Sequence, residues 1–151
     1  MGWFRLDFTD DTVDIGVRVN EAFGFFKQLE NWPSWTKCIR RVSRKSEGDW
    51  RVGFRFVFVP DFLPVPLDTK VLEYEENRTI GWGLRTPVAA ILHRFSFEPA
   101  GEGRCRVHQV EFAEGLLALL ARPLQNRIAT FDRQLILDFQ AAVQRSCAGR
   151  G

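Results

Sequence analysis

Two side chains in the middle of this sequence have the chemistry to move protons. His93 lies between Ile91 and Phe95 at alternating positions of an apolar segment, which predicts that its imidazole points into the protein interior. Glu111 lies in the next segment of the same kind. Burial raises the pKa of a carboxyl group and a neighbouring imidazolium lowers it, so such a pair can exchange protons with a carbonyl-bearing substrate.

His93 also has a plainer interpretation, as a neutral structural residue that hydrogen-bonds a neighbour. Its partner depends on which face of the following strand points inward. We favour the parity that places Gln109 and Glu111 inside, and a β-bulge could switch the strand to the other one. The other parity would bring in His108, Val110 and Phe112.

Other catalytic and cofactor-binding patterns are missing from the sequence. It has no nucleophile paired with a base, no Gly-rich loop for phosphates and no ligand set at metal spacing. Cys38, Cys105 and Cys147 are odd in number and widely separated, and only two His accompany them. We therefore predict no disulfide framework, no metal and no cofactor, and a reducing cytoplasm as the location.

Charge and hydropathy exclude two further classes of protein. Lys plus Arg number 21 against 19 Asp plus Glu, and the densest basic stretch, Lys37–Lys45, is interrupted by Ile39 and Val42 as in a strand with one wet face. No nucleic-acid partner is predicted. Residues 1–8 are too few and too charged for a signal peptide, and no apolar stretch approaches the roughly 20 residues that span a bilayer.

The elements that must position these residues follow from hydrophobic periodicity. Residues 12–19 alternate as a half-buried strand, and Asn20 is a suitable N-cap for a short helix that ends near Glu30. Pro33 makes residues 31–37 a turn or a helical corner. Five predicted strands follow the basic one, bounded by turn residues, at 50–59, 67–74, 79–86, 89–98 and 104–113.

In the last part of the chain, the spacing of apolar residues changes from every second residue to every third or fourth. Apolar residues recur at helical spacing over 116–145, which predicts one long amphipathic helix that faces the sheet. Pro123 lies inside it and removes a backbone donor, so we expect a kink or break there. The whole chain, 1–151, is predicted to be one α+β domain.

Several segments sharpen this into a resemblance to a known superfamily. Residues 19–26 and 29–35 resemble the opening of START-like, or SRPBCC, proteins, which include polyketide cyclases and plant pathogenesis proteins. The resemblance covers nearly the whole chain and implies a helix-grip fold, in which a seven-stranded curved antiparallel sheet wraps the C-terminal helix. The polyketide cyclase and dehydrase branch of the superfamily has strand motifs that this sequence resembles at residues 52–53, 71–74, 80–82 and 103–107. Residues 115–124, which include Pro123, resemble the start of the last helix of that branch.

The fold implied by this resemblance has a cavity between the sheet and the long helix, and strand parity supplies its side chains. The aromatic face of each strand is expected to point inward, with residues near the middles of their elements, Phe56, Trp82, Phe95 and Phe131, as the wall. The full predicted set is Phe54, Phe56, Phe58, Trp82, Leu84, His93, Phe95 and Gln109 on the strands, faced by Leu124, Ile128, Phe131 and Leu135.

Three functions stay open at this point. The first is binding of a small apolar molecule, aromatic or lipid-like, and the second is a polyketide cyclase or dehydrase reaction in which His93 and Glu111 carry protons. The third concerns the apolar, proline-stiffened loop 58–67, where Phe62 and Leu63 could gate the cavity or meet a partner. The expected assembly is a monomer or homodimer.

Overall fold

The structure, a computed structural model, describes residues 4–148. One antiparallel sheet runs in the order β1-β7-β6-β5-β4-β3-β2, and helices join β1 to β2 and follow β7. This confirms the predicted helix-grip fold. The strands are β1 Arg5–Ile15, β2 Ile39–Arg44, β3 Arg55–Pro60, β4 Leu67–Glu75, β5 Thr79–Thr86, β6 Ala89–Pro99 and β7 Cys105–Gly115, and the helices are α1 Val19–Phe26, α2 Trp32–Trp35, α3 Leu116–Ala121 and α4 Gln125–Ala148.

The first strand differs from its prediction at both ends. It begins at Arg5 and ends at Ile15, because it pairs with β7 along its whole length from Arg5 opposite Glu114 to Ile15 opposite Cys105. The predicted N-cap, Asn20, lies inside α1, since the carbonyl of Arg18 already accepts the N–H groups of Glu21 and Ala22 at 3.1 Å. The ends of β1 are therefore set by its pairing with β7, a strand distant in sequence, and not by local periodicity.

The predicted strand 50–59 is shorter in the structure, where the strand spans Arg55–Pro60 and only two further hydrogen bonds of 2.8 Å, between Val71 and the residues Gly53 and Phe54, extend it toward its start. The chain turns at Gly53, whose φ of +94° suits glycine, and the N–H of Phe54 bonds back to the carbonyl of Arg51 at 3.1 Å. Trp50 and Phe54 are nevertheless buried, with stacked rings 5.2 Å apart. The alternation of apolar residues over 50–54 therefore predicted the burial of Trp50 and Phe54 correctly, but it was wrong in predicting a strand there.

The C-terminal helical region is broken where Pro123 predicts. Helix α3 ends at Ala121, a 3-10 turn spans Arg122–Leu124, and α4 continues for 24 residues. Helix α4 lies across the sheet and closes a core built largely from rings. Phe26 of α1 is at its centre, with the rings of Trp32, Trp82, Phe95, Phe97 and Phe139 between 4.7 and 6.0 Å away.

None of the helices within residues 4–148 is long and apolar enough to cross a membrane. The prediction that no signal peptide is present concerns residues 1–8, of which 1–3 lie outside the described residues. Cys38 and Cys105 are buried and form no disulfide.

Candidate functional site

A pocket of about 340 Å³ opens between the sheet and the two C-terminal helices. Strands β4 to β6, with one residue each from β3 and β7, form its floor, α3 and the start of α4 form the opposite wall, and the loop after β3 forms its side. Most of its lining is apolar. The predicted residues that line it are Phe58, Phe62, Leu63, Trp82, Leu84, His93, Glu111, Leu124, Ile128 and Phe131.

Five residues of the predicted set do not line this pocket, which corrects the expected wall. Phe56 packs against Trp32 of α2 at 5.7 Å and Phe95 packs against Phe26 of α1 at 4.7 Å, because α1 and α2 cover that end of the sheet with their own aromatic side chains. The interior near α1 is therefore filled, and the pocket lies beside α3. The residues outside the pocket lining are Phe54, Phe56, Phe95, Gln109 and Leu135, all of them buried.

The inward parity of β7 is the one that the sequence favours. Strands β6 and β7 pair without a register shift from Ala89 opposite Gly115 to Pro99 opposite Cys105. Gln109 is fully buried as a result, and His108 lies on the outer face, where its side chain is 44% exposed. Both predicted polar residues of β7, Gln109 and Glu111, thus belong to the face that carries His93.

Gln109 connects His93 to helix α4. Its side-chain amide donates to the backbone carbonyl of Asp132 at 2.9 Å, which turns its Oε1 toward the imidazole. The distance from that oxygen to Nε2 of His93 is 2.7 Å. Since Oε1 can only accept, Nε2 of His93 carries a proton and donates it to Gln109. The other ring nitrogen, Nδ1, faces Glu111, with Oε1 of that carboxyl 3.8 Å away.

Asp132 is the residue of this site that our sequence reasoning missed. It is completely buried, and neither of its carboxylate oxygens has a hydrogen-bond donor among the described residues. Oδ1 lies 3.8 Å from Nε2 of His93, which is beyond hydrogen-bond distance. Burial, followed by the neighbouring carboxyl of Glu111, raises the pKa of Asp132 well above its ordinary value.

A sequence signal for Asp132 does exist. It lies four residues after Ile128 and three before Leu135, at the spacing of the apolar stripe that α4 buries against the sheet. A carboxyl group at such a position is either paired or functional, because burying it alone is unfavourable. The predicted apolar face of the helix included Phe131 and Leu135 but did not include Asp132, which lies between them in the sequence.

The site has the composition of a metal or proton site at the edge of an apolar pocket. One donor atom each from His93, Glu111 and Asp132 lies within 4.8 Å of the other two. Linear spacing did not indicate this ligand set, because β6, β7 and α4 contribute one residue each. His93 and Glu111 reach the pocket, while Asp132 lies behind them.

Comparison with protein families gives one match. The sequence profile of a family described as polyketide cyclase / dehydrase and lipid transport matches residues 9–138. No curated protein matches the chain significantly.

Solved structures share this fold at low sequence identity. A START superfamily protein from Mycobacterium smegmatis has a TM-score of 0.74 at 14% identity, over 93% of this chain and 99% of its own. Truncated norcoclaurine synthase from Thalictrum flavum has a TM-score of 0.64 at 10% identity, over 89% and 93%. The di-domain ARO/CYC StfQ from the steffimycin biosynthetic pathway has a TM-score of 0.70 at 16% identity, and this chain, covered to 96%, spans 52% of it. These likenesses concern the fold.

Proposed function

Because this chain belongs to the polyketide cyclase / dehydrase and lipid transport family, we propose that it binds a small, mostly apolar molecule in the pocket between its sheet and its C-terminal helices. The observation that carries the proposal is the pocket itself. Its volume of about 340 Å³ lies at the lower end of the range of roughly 300–1,000 Å³ that small-molecule sites occupy.

The placement of polar groups supports an oriented ligand. His93 and Glu111 lie side by side in an otherwise apolar part of the lining, and the Glu111 side chain is 12% exposed there. The other carboxyl of the lining, Asp68, is engaged outside by Lys45 and Arg55 at 3.1 and 2.8 Å. A hydroxyl group on the ligand would donate to Glu111 while the rest of the molecule lies against Trp82 and Phe131.

The loop after β3 supports a gate beside this pocket. Phe62 packs edge-on against Phe131 at 5.4 Å, and Leu63 also belongs to the lining. A side chain that packs on the pocket wall from a loop can swing outward without disturbing a strand. We propose that Phe62 and Leu63 control entry of the ligand, and we prefer this to the partner-binding alternative because Phe62 packs inward.

Calorimetric titration with 2-naphthol, a flat apolar probe with one hydroxyl group, tests the proposed function. Ile128→Trp should fill the pocket and weaken binding at least about tenfold, since a lost apolar contact surface is worth more than ~1.4 kcal/mol. Leu137→Trp, on the exposed side of the same helix, is the matched control and should bind as the unmodified chain does. Absence of binding, or equal binding by both variants, would contradict the proposal.

A further inference from the structure

We propose that His93, Glu111 and Asp132 form a binding site for a divalent first-row metal ion. One donor atom from each residue lies within 4.8 Å of the other two. Three donors bound to one such ion lie roughly 3 to 3.5 Å apart, given metal–ligand bonds of about 2.0–2.2 Å. Binding would therefore require the side chains to draw the donors together by up to roughly 1 to 2 Å. This inference does not depend on the apolar ligand proposed above.

The unpartnered carboxyl group of Asp132 is the first observation that points to an ion. Its side chain has no exposed surface, and both oxygens lack a donor within the described part of the chain. Buried carboxylates are almost always hydrogen-bonded, paired or bound to a metal. Within the described residues Asp132 has neither a hydrogen-bond donor nor a basic partner, and the group next to it is a second carboxyl, that of Glu111, so that either a shared proton or a cation must lie between the two.

The hydrogen bonds of Gln109 are the second, independent observation. They fix the amide to the Asp132 carbonyl at 2.9 Å and hold Nε2–H of His93 at 2.7 Å. In the neutral imidazole this orientation leaves the lone pair on Nδ1, the nitrogen that faces Glu111. Metal-binding His residues are usually held in this way, with one ring N–H donated to an outer oxygen and the other nitrogen on the metal.

Charge balance and the donor types favour a divalent ion. Two carboxylates and a neutral imidazole carry a charge of −2 when ionised, and neither carboxylate pairs with Lys or Arg among residues 4–148. A divalent cation brings the group to neutrality. One nitrogen and two oxygen donors suit Mn²⁺, Fe²⁺, Co²⁺ or Zn²⁺. Because His93 and Glu111 line the pocket, an open coordination position would face it.

Titration of chelator-treated protein with Co²⁺, Mn²⁺ and Zn²⁺ separately, by calorimetry and by the visible spectrum of Co²⁺, tests this proposal. We expect one ion per chain. Asp132→Asn and Glu111→Gln should each weaken it at least about 100-fold, since losing a ligand costs more than the 10- to 100-fold loss of an outer partner. His108→Asn removes the other His of the chain, on the outer face beside Asp10, and should leave affinity unchanged.

Three results would overturn the proposal. The first is that no ion binds, in which case Asp132 and Glu111 are neutralised by a shared proton alone. The second is equal affinity in Asp132→Asn. The third is a Co²⁺–thiolate charge-transfer band, which would place the ion on a cysteine. Circular dichroism and urea unfolding of each variant show whether a lost affinity reflects a lost ligand or a lost fold.

Discussion

His93 and Glu111 are direct partners across the β6–β7 ladder, yet the imidazole makes its short hydrogen bond to Gln109, two residues away along β7. The side chain leans along the strand because the amide of Gln109 is itself held by the backbone of α4. This diagonal contact leaves Nδ1 and the Glu111 carboxyl facing each other at 3.8 Å at the pocket wall. Gln109 therefore acts as a positioning residue for the site.

Replacing Gln109 with Leu should lower the free energy of unfolding by about 1 to 3 kcal/mol. The imidazole N–H would lose its partner in a fully buried place, at roughly 1–3 kcal/mol for one unsatisfied group, while the Asp132 carbonyl keeps its hydrogen bond within helix α4. Urea unfolding measures the change. Gln134→Leu, at an exposed position of α4, is the control and should stay within about 0.5 kcal/mol. Equal effects of the two substitutions would show that the bridge carries no stability.

Replacing Phe62 with Ala should raise the dissociation rate of 2-naphthol several-fold and change the Kd less. The ring packs on Phe131 from the loop side, so its removal opens a path to solvent while the floor of the pocket is unchanged. Stopped-flow displacement measures the rate. Val65→Ala, in the same loop but 49% exposed, is the control and should release the probe at the original rate. A dissociation rate that Phe62→Ala leaves unaltered would argue against the gate.

Because of the ion pair between Glu73 and Arg94, the free energy of unfolding should decrease at acidic pH. Two hydrogen bonds of 2.6 and 3.0 Å from the guanidinium lower the pKa of Glu73 from its usual 4.5, partly opposed by burial. A group whose pKa is lower in the folded than in the unfolded state stabilises the protein at pH values above its unfolded-state pKa. That stabilisation is lost as the pH falls through its folded-state pKa. The contribution should be no more than about 1 kcal/mol, since both side chains are about one third exposed.

Unfolding of Glu73→Gln from neutral pH to about pH 3 measures this contribution. The difference between the unmodified chain and the variant should shrink as the pH falls below about 4.5, the usual pKa of Glu. Glu75→Gln, two residues along β4 and more exposed, is the matched control. A difference that stays constant with pH would mean that the pair stabilises through packing instead of charge.

Cys105 should resist alkylation in the folded protein. Burial, with a smaller contribution from the Asp14 carboxylate, raises the pKa of its thiol to about 11. The thiolate is the reactive form, so at pH 8 almost none is present and the sulfur is also inaccessible. Iodoacetamide labelling mapped by mass spectrometry should find Cys105 unmodified until urea unfolds the chain. Similar labelling rates in the folded and unfolded protein would contradict this burial.

Much of the architecture could be predicted because it depends on patterns a few residues long. Alternation located the strands from β4 to β7 within about two residues, helical spacing located α4, and Pro123 located its break. Periodicity was less informative where pairing decides the ends of an element. The segment 50–54 alternates like a strand and still turns at Gly53, where the N–H of Phe54 bonds back to the carbonyl of Arg51.

The candidate site likewise combines features that local sequence patterns predict with features that only tertiary packing decides. The sequence by itself determined that His93 points inward, because its neighbours at period two are apolar, and that Gln109 and Glu111 share a face. Only tertiary packing decided that α1 and α2 fill one end of the interior and leave the pocket beside α3. Packing also brought Asp132 from α4 to His93 and Glu111 across more than 20 residues of chain. Contacts between distant elements arise from how helix and sheet surfaces fit together, and a local pattern carries no record of that fit.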